Sequence, residues 1–128
     1  MAFRDRFEPE TNLLLVTFDG TLSDEDLLEY ARHALESADV SAGHDELIDL
    51  RGLEDGGEIS TRALRRIADM FTRSDTAPDR SRVAMVATTD VHYGLSRMYQ
   101  AFRSDSPLDL RVFRDMGEAR AWLGLPPE

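Results

Sequence analysis

The chain has 128 residues, no cysteine and a net charge of −10 at pH 7, set by 25 acidic and 15 basic residues. Without cysteine there is no disulfide framework, no thiolate nucleophile and no Cys-ligated metal, and the acidic balance argues against nucleic acid, whose phosphates require a concentrated basic surface. A chain of this size is expected to form one domain over residues 1–128, with a core of ordinary size. No apolar run approaches the ~18 residues of a membrane span. The opening MAFRDRFEPE lacks the apolar centre of a secretory signal, so a cytoplasmic location is expected.

In chain order, FRDRFE (Phe3 to Glu8) alternates aromatic and polar residues, and LLLVTF follows the turn-prone PETN, which together predict an antiparallel hairpin. Ser23 with Asp26 opens a helix whose Leu27, Leu28, Ala31, Ala34 and Leu35 recur at helical spacing up to about Glu36. ELIDL (Glu46 to Leu50) reads as a short strand closed by Gly52. Ser60 caps a second helix with Leu64, Ile67, Ala68 and Phe71 on one stripe. RVAMVAT (Arg82 to Thr88) has apolar residues of both parities, the pattern of a strand buried on both faces. Asp90 caps a third helix carrying Val91, Leu95, Met98 and Phe102, and DLRVF (Asp109 to Phe113) is the last strand. Asp115, with Glu118 three residues on, opens a final helix that Pro126 and Pro127 stop. The fold class is therefore α/β, in the order β-β-α-β-α-β-α-β-α, with a mixed, mostly parallel five-stranded sheet and four helices. If strands two to five lie side by side in chain order, the crossover helices fall on one face. The other is left to strand side chains, to the last helix or to a partner subunit.

The stretch TFDGT invites comparison with phosphatases that attack through an aspartate two residues before the Asp of DGT. Thr17 stands there instead, and threonine lacks the carboxylate of an aspartyl-phosphate mechanism. Asp19 and Gly20 serve as a turn, and TLSDED as an acidic helix N-terminus.

Taken together, TFDGTLSDEDLLEYAR, LIDLRGL, RVAMVA, YGLSRMYQAF and LRVFRDMGEARAWLG resemble the SpoIIAA-like group of bacterial proteins over nearly the whole chain. That group is related to the STAS domain and, more distantly, to CRAL-TRIO lipid carriers. The resemblance implies the fold. STAS partner switching uses a phosphorylatable serine in a motif like Asp-Ser-Ser-Gly, but Asp49-Leu50-Arg51-Gly52 occupies the comparable stretch and has no serine. Ser60 and Thr61 are the nearby positions where modification would be electrostatically tolerated, at a helix N-terminus, although Ser60 also reads as a plain cap.

Parallel sheets deliver ligands to the carboxyl ends of their strands. The candidate ligand residues there are Asp49, Arg51, Thr89, His92, Tyr93 and Arg114. Each has a purely structural counterpart in capping or local ion pairing. Tyr93, Arg97 and Tyr99 lie off the apolar stripe of the third helix and are the candidates for a ligand groove or a subunit interface. His33, His44 and His92 show no metal-ligand spacing, and there is no glycine-rich phosphate loop. No cofactor or catalytic residue is implied. The reading is a non-enzymatic STAS-like binding or regulatory module, self-associating as a homodimer or meeting a regulatory protein partner. The alternative is a carrier or sensor of a small apolar or anionic ligand, and the third reading is a hydrolase using Asp49 and His92.

Overall fold

In the computed structural model, which describes residues 2–36, 44–54, 59–74 and 82–128, the hairpin β1 (Phe3–Glu8) and β2 (Leu13–Gly20) leads into α1 (Asp24–Glu36). There follow β3 (Asp45–Leu53), α2 (Thr61–Ser74), β4 (Arg82–Val86), α3 (Asp90–Phe102), β5 (Asp109–Phe113) and α4 (Met116–Trp122). The five strands lie in chain order β1-β2-β3-β4-β5. β1 is antiparallel to β2, and every other neighbouring pair is parallel. Element order, strand directions and sheet composition are those expected from the sequence.

Because side chains alternate across a strand, each strand serves two layers. Leu14, Val16 and Phe18, Ile48 and Leu50, and Val83 and Met85 meet α1, α2 and α3 in one cluster. Leu13, Leu47, Ala84 and Val86 meet Met116, Ala119 and Leu123 of the α4 region in a second. Strand β4 is buried on both sides, as its unbroken apolar run predicts, and the last helix is what covers the second face.

Helix ends follow local chemistry. Ser23 and Asp26 form a reciprocal capping box, Asp26 N–H donating to Ser23 Oγ (3.1 Å) and Ser23 N–H to Asp26 Oδ2 (3.0 Å). Asp115 caps α4 by accepting from Glu118 N–H at 3.0 Å. Three expectations are corrected. The cap of α3 is Thr89 rather than Asp90, with His92 N–H donating to Thr89 Oγ1. Gly52 does not close β3, which continues to Leu53; a Cβ there would run into the Asp19 carboxylate, at the register shift between β2 and β3, so glycine permits the close approach. And α4 stops at Gly124, not at the prolines. Gly124 has φ +75°, and the bonds Leu125 N–H to Arg120 O (2.8 Å) and Gly124 N–H to Ala121 O (3.1 Å) make a Schellman ending.

Candidate functional site

The residues expected at the carboxyl edge of the sheet fall into separate clusters. On the α4 side, Arg51 Nε and Nη2 each donate at 3.0 Å to Asp49, and Nη2 also donates to Glu128 at 2.6 Å. The Asp49 bonds, followed by those from Glu128, hold the Arg51 guanidinium above its ordinary pKa, and Arg51 in turn lowers that of Glu128. At the start of α3, Thr89 Oγ1 and His92 Nδ1 are 2.9 Å apart. Arg114 pairs with Asp90 at 2.8 Å and lies 4.3 Å above the Tyr93 ring, whose hydroxyl accepts from Arg97 at 3.3 Å. The candidate cations are thus engaged with neighbouring acids and rings. Ser60 caps α2, accepting from Ala63 N–H at 3.0 Å and donating to Asp24 Oδ2 at 2.7 Å. Thr61 is exposed in the first turn. A phosphate on Ser60 would remove that cap and stand against the Asp24 carboxylate.

The third helix is turned differently from its expected packing. Val91 (63 % exposed) and Met98 (36 %), placed on the core stripe by apolar spacing, face outward. The inward side is a polar stripe: Ser96, Tyr99 and Arg103 are buried, and with His92 they recur at helical spacing along one face. Tyr99, expected at an outer flank with Tyr93 and Arg97, is therefore not available to another subunit in this arrangement, whereas Arg97 is exposed.

That stripe lines an internal cavity of about 430 Å³ between the sheet and α1, α2 and α3, a size typical of small-molecule sites. Its walls are mainly apolar, among them Leu14, Ile48 and Met85 of the sheet and Leu27, Leu64 and Ile67 of the helices. Of the exposed lining residues, Leu35, Ser74 and Pro107 lie at or beyond the C-terminal ends of α1, α2 and α3, and Asp5 lies on β1. Near that end charges of both signs meet. Arg103 donates to Tyr99 Oη (2.9 Å) and Ser106 Oγ (3.4 Å), His33 Nε2 is 2.9 Å from Asp5, and His44 is 3.9 Å from Glu46.

Tyr30 reaches the cavity from α1 through a ring held edge-on by Phe3 (5.3 Å) and Phe18 (4.9 Å). Burial first, then the nearby Glu46 carboxylate, raises its pKa well above 10.0, so the phenol stays protonated. Among the described residues no group of three His, Asp or Glu side chains is arranged to hold a metal, and no helix is long and apolar enough to cross a membrane. Of the residues around the cavity, His92 is a sequence candidate for ligand binding. Tyr99 is a candidate for a ligand groove or an interface, and it is the groove that it lines, whereas Tyr30, Ser96 and Arg103 were missed. The spacing of 92, 96, 99 and 103 was visible, but periodicity alone does not say which face of a helix points inward.

A five-stranded, mostly parallel sheet with three helices on one face and a fourth on the other defines an α/β fold. The chain belongs to the SpoIIAA-like family, whose model matches residues 13–124. A solved structure from Shewanella loihica PV-4, described as an uncharacterized protein from the DUF3478 family with a SpoIIAA-like fold, superposes with a TM-score of 0.59. The match covers 95 % of this chain and 94 % of that one at 19 % identity, and so shows a shared fold. No curated protein matches the chain.

Proposed function

We propose that the protein is a non-enzymatic binding module that holds a small, largely apolar ligand between its sheet and its first three helices. The observation that carries this reading is the cavity of about 430 Å³ with apolar walls and a few inward polar groups, the usual composition of a small-molecule site. Membership of the SpoIIAA-like family supports a regulatory rather than a catalytic role. Titration with the neutral fluorophore N-phenyl-1-naphthylamine is expected to give saturable one-to-one binding and a melting temperature that rises with ligand concentration. Fluorescence without saturation, together with a bare-chain mass in native mass spectrometry of freshly purified protein, would remove it.

A second reading is self-association through the outer side of α3, supported by the exposed Val91 and Met98 beside the Tyr93–Arg97 pair. The same native spectra report subunit count. A mass unchanged by Tyr93→Ala with Arg97→Glu, at equal stability, argues against that surface.

A further inference from the structure

Two hydroxyls in the cavity wall make no hydrogen bond to any described residue. Ser96, on the inward stripe of α3, is 3 % exposed, and Tyr30, on α1, is 6 % exposed. Both line the cavity, and neither oxygen is among the fully enclosed polar atoms left without a partner, so each borders the open space rather than packed protein. A buried hydroxyl with nothing to bond costs free energy that a tightly packed methyl or hydrogen would not. Two such groups, reaching one space from different helices, mark where an occupant's polar atoms belong.

The charges nearby say what kind of polar atoms. Arg103 is engaged with Tyr99 and Ser106, Asp5 with His33, and Glu46 stands near His44. An ionised head group brought in would meet both signs and gain no net partner for its own charge, while losing its water. A neutral oxygen acceptor loses little and satisfies a donor that the fold leaves bare. The Tyr30 phenol, protonated at all ordinary pH, is such a donor, and its three aromatic neighbours Phe3, Phe18 and Phe71 fix where it stands.

We infer that the cavity takes an uncharged amphiphile, an apolar body carrying an ester, ketone or similar oxygen acceptor, with that oxygen bonded by the hydroxyls of Tyr30 and Ser96. The inference rests on the proposed ligand-binding reading and names the ligand's chemical class.

The test is displacement of N-phenyl-1-naphthylamine from the full chain by nonane, methyl nonanoate and sodium nonanoate, using wild type, Tyr30→Phe, Ser96→Ala and the double variant. In the wild type, methyl nonanoate is expected to displace the probe at about tenfold lower concentration than either nonane or nonanoate, the scale of one or two hydrogen bonds made in a dry site. Each single variant reduces that preference for ester over alkane, and the double variant abolishes it, each preference being read against that variant's own probe affinity. The melting temperature without ligand stays equal or rises in Tyr30→Phe, because the lost hydroxyl had no protein partner. Equal displacement by ester and alkane, stronger displacement by nonanoate, or an ester preference that survives the double substitution would each overturn the inference while leaving the ligand site standing. Failure of the wild type to bind the probe would instead sink the binding reading and this inference with it.

Discussion

The two faces of the sheet solve the same packing problem in opposite ways. Under α4, small and branched residues close tightly: Leu13 and Leu47 are 1 % exposed, and Ala84, Val86 and Ala119 are fully buried. Arg82 locks that layer from its edge, bonding Asp45 at 3.0 Å and the last carbonyls of α4 at Trp122 (2.6 Å) and Leu123 (3.3 Å). Its guanidinium also lies 5.7 Å from the Trp122 ring. Beneath α1, α2 and α3 the layer is hollow, and polar side chains line the cavity. One seven-residue helix seals a face that needs only stability. Three longer helices border the cavity on the other. The difference teaches that the hollow is not a general looseness of this sequence, because the same strands pack to completion on their other side.

The strongest way to break that comparison is a pair of adjacent truncations. Leu47→Ala, in the sealed layer, is expected to cost about 3–4 kcal/mol, whereas Ile48→Ala, which borders the cavity, should cost only about 2 kcal/mol, because a wall residue already lacks contacts on its open side. Urea denaturation of both variants reads this directly, and equal losses would mean that the two faces are equally packed. Next in size, Arg82→Ala should lower stability by about 1–2 kcal/mol, reduced from a buried value by the partial exposure of the side chain. Its signature in hydrogen exchange is faster opening confined to α4. The smallest effect at neutral pH belongs to Tyr30→Phe, which should be near zero at pH 7. Above pH 10.0 the unfolded chain releases the Tyr30 proton while the folded chain keeps it, so wild-type stability falls as pH rises there. Tyr30→Phe removes that part of the alkaline decline. Parallel stability curves for the two proteins from pH 9 to 12 would show that the phenol is not buried as described.

Much of this was legible beforehand, for physical reasons that differ by region. Hairpin, strands and caps are local: alternating FRDRFE gave β1, Ser23 with Asp26 gave the start of α1, and Asp115 with Glu118 gave that of α4. The α4 face was left open between three covers, since the strands show that both sides are apolar but not what sits on them. The cavity was not legible. Its marks are a helix whose polar side points in and a tyrosine sharing a stripe with Leu27 and Ala31, and both look like ordinary amphipathic periodicity until the tertiary packing sets which side is buried. Arg51 and Arg114 are residue types expected of an anion site, yet Asp49 and Glu128 engage the first and Asp90, brought alongside by the fold, engages the second.

The unshuffled strand order carries one more consequence. Each strand lies beside the one before it in the chain, an assembly with no strand inserted between two sequence neighbours. Such assembly keeps the loops to be closed short. Sequence neighbours thus meet through the sheet itself, whereas the Arg82 clasp, bonded to Asp45 of β3 and to the closing carbonyls of α4, ties together elements 37 to 41 residues from it in the chain.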